Sequence, residues 1–251
     1  MSLITLKLQR MVLLFLVILL IVAGCGLNSS QTACDIAVNE ENRKIIVAVD
    51  TAYPPFAYRD QNTGEYTGFD IDIIKAIAAI KGWEYEIRSM DYVDILPAVE
   101  CSAVDAAISA IVIVDKPNLA INYSYPYYVS AQSVAIKVDN ERINSAGDLE
   151  GKRLGVKVAS AGAMEACKIG GASIMCYKDI NSALTALKED QVDAVVGDFS
   201  VLAYYVKQGN DDIKIMADLR TGESMGIAVP EADAQLLEEI NEALVTLKNN
   251  G

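Results

Sequence analysis

The feature that most constrains the fold is a repeat. Ile95-Leu96-Pro97-Ala98-Val99-Glu100-Cys101-Ser102-Ala103-Val104-Asp105-Ala106-Ala107-Ile108-Ser109 is echoed by Ala183-Leu184-Thr185-Ala186-Leu187-Lys188-Glu189-Asp190-Gln191-Val192-Asp193-Ala194-Val195-Val196-Gly197. Both read as helix, short turn and strand, and Val-Asp-Ala opens the strand each time. One supersecondary unit used twice predicts two similar α/β lobes. The strand ends fall at Ser109-Ala110 and Gly197-Asp198, which sets Asp198 at a carboxyl strand end, where open α/β sheets bind ligands.

A second strand end carries the same sort of chemistry. The residues Ile45-Ile46-Val47-Ala48-Val49 are β-branched or small, which suits a buried parallel strand, and Asp50 terminates it. Pro54 and Pro55 stop any ladder or helix beyond it. The loop bears Tyr53, Phe56 and Tyr58, three rings that a structural turn does not need. An acid and aromatics at this point predict a binding crevice of the same sort as the one Asp198 faces.

Periodicity supplies the remaining elements. Ile73, Ile74, Ile77 and Ile80 predict a helix over 70–81 that Gly82 closes. Strands are expected over 83–90, 130–138, 152–160, 213–216 and 225–229, and helices over 94–100, 161–168, 202–207 and 232–248. Pro97 is expected near the start of its helix.

The N-terminus reads as an address. Lys7 and Arg10 precede an unbroken apolar run over 11–22, short for a bilayer span. It ends in Val22-Ala23-Gly24-Cys25, which resembles the lipobox of bacterial lipoproteins. The implied product is a signal peptide over 1–24, lipid on Cys25 and a polar tether over 25–43, so the protein is expected outside the cytoplasm and held to the membrane. Beyond the signal no stretch is long and apolar enough for another span. Removing the signal takes away two cations and no acid, leaving 19 cations against 34 acids in 227 residues, a net charge of −15. That disfavours nucleic acid as a partner.

The chain has no histidine, which excludes histidine triads, histidine general bases and histidine metal ligands. The spacing of Cys34, Cys101, Cys167 and Cys176 matches no zinc pattern, and nothing points to a cofactor or metal. Cys167 and Cys176 flank a plausible helix-to-strand return and are the expected disulfide, with free thiols as the alternative.

Assembled in order, these parts resemble the extracytoplasmic solute-binding proteins of polar-amino-acid ABC transporters, solute-binding family 3. The likeness runs over 44–248. It is carried by Asp50-Thr51-Ala52-Tyr53-Pro54-Pro55-Phe56-Ala57-Tyr58, Gly68-Phe69-Asp70-Ile71-Asp72, Asp105 to Ser109, Tyr123 to Tyr128, Asp148 to Lys152, Val192 to Asp198 and Gly226 to Val229. The resemblance implies an α/β, two-lobed periplasmic-binding-protein fold of class II type, with crossover hinge strands near Ser130 and Ser224. Lobe 1 is then 44–130 with a return over 225–251, and lobe 2 is 131–224. It implies a monomer that captures a small amino-acid-like or amine ligand and meets an ABC permease.

By the same resemblance, Asp50, Tyr53, Tyr92, Ser109 and Ser160 line the cleft, and Asp198 takes the ligand's ammonium. The departures are as informative. The position of the family's carboxylate-binding arginine holds Pro117, and proline cannot replace a bidentate guanidinium. Three readings stay open: a substitute cation, Lys157 or Lys116, takes the carboxylate; the ligand is an amine without one; or the cleft is degenerate and the protein a scaffold or sensor. A cyclohexadienyl-dehydratase-like enzyme on this fold is a further alternative, but no second cleft acid with an obvious proton-donor context stands out. Family members usually continue past the closing helix, so with the sequence ending at Gly251 two readings stay open: the chain is truncated there, or lobe 1 lacks its final cover.

Overall fold

The structure is a computed structural model and describes residues 43–115, 117–216, 219 and 222–250. Cys25, Cys34, Lys116 and the expected signal and tether lie outside the described residues. In chain order the elements are β1 (Lys44–Val49), β2 (Ala52–Tyr53), β3 (Ala57–Arg59), β4 (Tyr66–Thr67), α1 (Phe69–Lys81), β5 (Glu84–Ser89), α2 (Tyr92–Glu100), β6 (Ala106–Ala107), β7 (Ile121–Tyr123), β8 (Tyr128–Ser130) and β9 (Gln132–Lys137). They continue with β10 (Arg153–Lys157), α3 (Ala161–Ala166), β11 (Ser173–Tyr177), α4 (Ile180–Lys188), β12 (Ala194–Asp198), α5 (Phe199–Lys207), β13 (Ile213–Met216), β14 (Glu223–Met225), β15 (Ala228–Pro230) and α6 (Ala234–Asn250).

Two five-stranded sheets have one plan. The first runs β5-β1-β6-β15-β7 and the second β11-β10-β12-β9-β13. The first three strands of each order are parallel, and the fourth is antiparallel to both its neighbours. Between the sheets β8 and β14 pair antiparallel, Ser130 opposite Glu223, as the two crossings of the chain. The small sheet β2-β3-β4 folds the aromatic loop back toward α1.

The repeat explains the shared plan, and its aspartates set the register. In the first lobe the backbone N–H of Ile46 donates to Asp105 Oδ2 at 2.7 Å, and the Asp105 N–H returns to the Ile46 carbonyl. In the second lobe the Arg153 N–H donates to Asp193 Oδ2 at 2.8 Å, and the Asp193 N–H returns to the Arg153 carbonyl. Each aspartate therefore gives a neighbouring parallel strand a partner where its ladder begins. The apolar faces then pack. Val47, Val49, Ile71, Ile74, Ile77, Ile240 and Leu244 form the core beneath the first sheet. Val134, Ile136, Leu154, Val156 and Val196 form one face of the second, and Leu184, Leu187, Val195 and Leu202 contribute to its other face.

Several expectations are corrected. The strand expected over 130–138 breaks into β8 and β9, and that over 225–229 into β14 and β15, because each leaves the crossing ribbon to join a different sheet. The strand expected over 152–160 stops at Lys157, since Ala159 has a φ of 57° and cannot continue a ladder. α2 begins at Tyr92, which leaves Pro97 inside the helix rather than near its start. α1 does end at Gly82 in the left-handed region, with the Gly82 N–H on the Ala78 carbonyl. Cys167 and Cys176 are not joined. Both are exposed free thiols, one at the end of α3 and the other on edge strand β11.

Candidate functional site

The repeat brings two strand ends face to face. Four residues beyond the Asp105 tie, β1 delivers Asp50; four residues beyond the Asp193 tie, β10 delivers Lys157. The two positions are structural equivalents, one from each lobe, and their side chains meet. Lys157 Nζ lies 2.6 Å from Asp50 Oδ2. The same ammonium stands 4.0 Å from the Tyr53 ring centroid and 4.3 Å from that of Tyr92, both on the first lobe's side. Lys157 is 1 % exposed and Asp50 7 %. Burial pulls the Lys157 ammonium below its ordinary value, and Asp50 opposes that pull.

Local bonds hold this acid in place. The Asp50 N–H donates to Ser109 Oγ at 3.1 Å, and Asp50 Oδ1 accepts the Ala52 N–H at 2.9 Å. Asp50 Oδ2 is left to face the other lobe. Ser160 caps α3: its Oγ accepts from the Ala163 N–H and donates to the Lys157 carbonyl at 2.8 Å.

The second cross-lobe contact lies beside the first. The Tyr53 hydroxyl donates to Asp198 Oδ2, and Gln132 Nε2 donates to Asp198 Oδ1 at 3.0 Å. Gln132 Nε2 also reaches Glu223 Oε2 at 2.9 Å, tying the strand end to the hinge ribbon. Asp198 is 5 % exposed. Burial raises its pKa, while hydrogen bonds from Tyr53, Ser130 and Gln132 and the charge of Lys157 pull it back. Burial, then Asp198, pushes the Tyr53 phenol well above its ordinary value, so it stays a donor. Helix α3 sits hard against this strand, because a Cβ on Gly162 would stand 2.8 Å from the Val196 carbonyl oxygen and 3.1 Å from Gln132 Oε1.

On the first lobe a buried acid plays the bracing part. Asp70, in the first turn of α1, accepts the Ala110 N–H at 2.9 Å and the Tyr127 hydroxyl at 2.9 Å. Ala110 follows Ser109 with a φ of 49°, and Asp70 holds it there. Burial pushes Asp70 up to about 7, against the pull of those two hydrogen bonds.

All seven ligand-site residues expected from the sequence thus converge. Tyr53, Tyr92, Ser109, Lys157, Ser160 and Asp198 line one narrow space of about 10 Å³, and Asp50 joins them through its pair with Lys157. That space is near the least that admits a single water. The expected clamp position is elsewhere: Pro117 does not line the space. Gln132, Glu223 and Asp70 are missing from the expected set. Gln132 had a signal, a polar residue opening the apolar run Val134-Ala135-Ile136, and it is fully buried. Among the described residues no group of three acids or cysteines is placed to hold a metal. No described helix is long and apolar enough to cross a membrane.

Comparison with known proteins extends this picture. The model of the bacterial extracellular solute-binding proteins, family 3, matches residues 45–251. The chain is 27 % identical over 218 residues to a probable histidine-binding protein of Campylobacter jejuni, covering 86 % of this chain and 84 % of that one. It is 28 % identical over 257 residues to the ABC transporter glutamine-binding protein GlnH of Bacillus subtilis, covering 98 % and 93 %. Among solved structures, an ancestral arginine-binding protein bound to arginine superposes with a TM-score of 0.78 at 35 % identity, covering 83 % of this chain and 93 % of that one.

Proposed function

Because the chain belongs to the bacterial extracellular solute-binding proteins of family 3, we propose that it captures a small amino-acid-like or amine solute between its lobes and delivers it to an ABC importer. Asp198 carries this reading. It is a buried carboxylate at a strand end whose near donors, Tyr53, Gln132 and Ser130, are all neutral. A buried carboxylate is stabilised most by a cation that also bonds to it, and a ligand ammonium supplies one. A solute between Tyr53 and Asp198 touches both lobes, so binding favours the closed form, which the permease recognises. Relatives named as a probable histidine-binding protein and as an ABC transporter glutamine-binding protein support a binding role over a catalytic one. Lipid on Cys25 then keeps the protein beside its importer.

The test is a thermal-shift panel of amino acids, the matching decarboxylated amines and dicarboxylate controls, followed by titration of the best solute. Asp198→Asn is expected to weaken that solute by about 30-fold or more, the effect of removing one member of a buried charge pair. Undiminished affinity in the variant would remove Asp198 from the site.

A further inference from the structure

Asp70 is a fully buried acid that does not line the space between the lobes. Its neighbours along α1, Ile71, Ile74 and Ile77, pack into the apolar core, and an apolar side chain would serve that packing as well. A buried carboxyl is costly unless its oxygens are partnered, and both partners of Asp70 lead out of the core. Oδ2 accepts the Ala110 N–H at 2.9 Å, and Oδ1 accepts the Tyr127 hydroxyl at 2.9 Å.

The first partner belongs to the cleft. Ala110 lines the space between the lobes and follows Ser109, whose Oγ accepts the Asp50 N–H at 3.1 Å. Its φ of 49° is one that alanine rarely takes. The second partner belongs to the hinge. Tyr127 directly precedes β8, and its backbone N–H donates to the Met225 carbonyl of β14 at 3.0 Å. A third segment joins through the backbone. The N–H groups of Phe69 and Asp70 donate to the carbonyls of Pro55 and Phe56 at 3.0 and 2.8 Å, which fastens the loop behind Tyr53 to the first turn of α1. The Phe69 ring packs on Phe56, Tyr127 and Tyr128 at 6.4, 6.1 and 5.5 Å between centroids.

We propose that Asp70 is a positioning residue for the cleft: it holds the Ser109-Ala110 turn in its binding geometry and joins that turn to the hinge through Tyr127, so that loss of either link loosens the wall that meets the solute. This rests on the solute-binding reading above and adds to it a residue that never touches the solute. The coupling needs no long path. One carboxyl is shared by two segments, and a shared group makes its partners interdependent.

The experiment compares the purified chain with Asp70→Ala, Asp70→Ala/Ala110→Gly, Asp70→Asn and Tyr127→Phe. Each is titrated with arginine and with glutamine at a temperature where it is folded. Asp70→Ala is expected to weaken the tighter-bound probe by about tenfold, the scale of one strained backbone residue left unheld. Glycine takes a positive φ without a brace, so Ala110→Gly in that background restores most of the loss. Asp70→Asn keeps a carbonyl oxygen for the Ala110 N–H and recovers affinity to within about threefold of the wild-type chain. Tyr127→Phe cuts only the hinge link. It costs about threefold by itself and nothing further once Asp70 is replaced by alanine. Wild-type affinity in a folded Asp70→Ala, a loss that Ala110→Gly does not recover, or an equal cost of Tyr127→Phe with and without Asp70 overturns the proposal. Amide hydrogen exchange followed by NMR reads the same junction without a solute: Tyr127→Phe is expected to speed exchange at Asp50 and Ala110 more than at Val195 in the second lobe. In a chain that binds neither probe, that pattern upholds the junction while counting against the solute-binding reading, and unchanged exchange at Asp50 and Ala110 overturns the proposal.

Discussion

In the first lobe β1 is tied by Asp105 and runs on to Asp50; in the second β10 is tied by Asp193 and runs on to Lys157. The backbone geometry is shared and the final charge is opposite. The strand next to each shows the same divergence. Ser109-Ala110 ends the first copy of the repeat and Gly197-Asp198 the second. The Ala110 end is braced by a buried acid, Asp70, and the Asp198 end by a buried amide, Gln132. A duplicated unit thus builds two matching walls, while single residues at matching strand ends decide what the walls do to each other. Equivalent positions face one another, so like charges there would hold the lobes apart and opposite charges hold them together.

Breaking one side of that pairing is expected to have the largest effect. Asp50→Ala leaves Lys157 buried without its acid, and Lys157→Met leaves Asp50 without its cation. Each is expected to cost about 3–5 kcal/mol in denaturant unfolding. The double variant Asp50→Leu/Lys157→Met buries no charge and should recover most of that loss. Additive losses in the double variant would mean that the two residues do not act as a pair.

Making the braces alike should have a smaller, pH-dependent effect. Asp70 has a folded pKa of about 7 against an ordinary 3.8. The native state then binds a proton more tightly than the unfolded state. The resulting stability is fully present below about pH 4 and is lost as pH rises to about 7. The shift corresponds to about 4 kcal/mol as an upper figure. Asp70→Asn keeps an acceptor for Ala110 and an amide for Tyr127 but has no charge to desolvate. Its stability, followed from pH 4 to 8, is expected to be flatter than that of the parent. An unchanged slope would place the pH dependence elsewhere.

The smallest effect sharpens the contrast between buried and exposed pairs. Lys178 and Asp91 also join the two lobes, at 3.1 Å, but with side chains 72 % and 58 % exposed. Asp91→Ala is expected to change stability by less than about 1 kcal/mol, and by less still at high salt. A larger loss would mean that rim contacts, rather than the buried pair, hold the cleft shut.

Much of this was legible in the chain. The repeat announced two lobes, because Val-Asp-Ala recurs where a buried strand needs both an apolar run and a side-chain acceptor. Asp50 and Asp198 were legible as strand-end acids, because β-branched runs stop at them. Gly82 announced the end of α1, because the backbone there needs a left-handed residue. These are local matters of period, propensity and backbone freedom, which a sequence encodes within a few residues. What Lys157 pairs with was not local. Its partners Asp50, Tyr53 and Tyr92 lie far away in the chain and become neighbours only when two separately built sheets close on each other. The roles of Asp70, Gln132 and Glu223 have the same origin, since each is defined by a hydrogen bond to a distant strand end. The sequence determined which residues stand at the strand ends; the tertiary structure alone decided which of them meet, because the energy of a buried charge depends on the partners that folding brings to it.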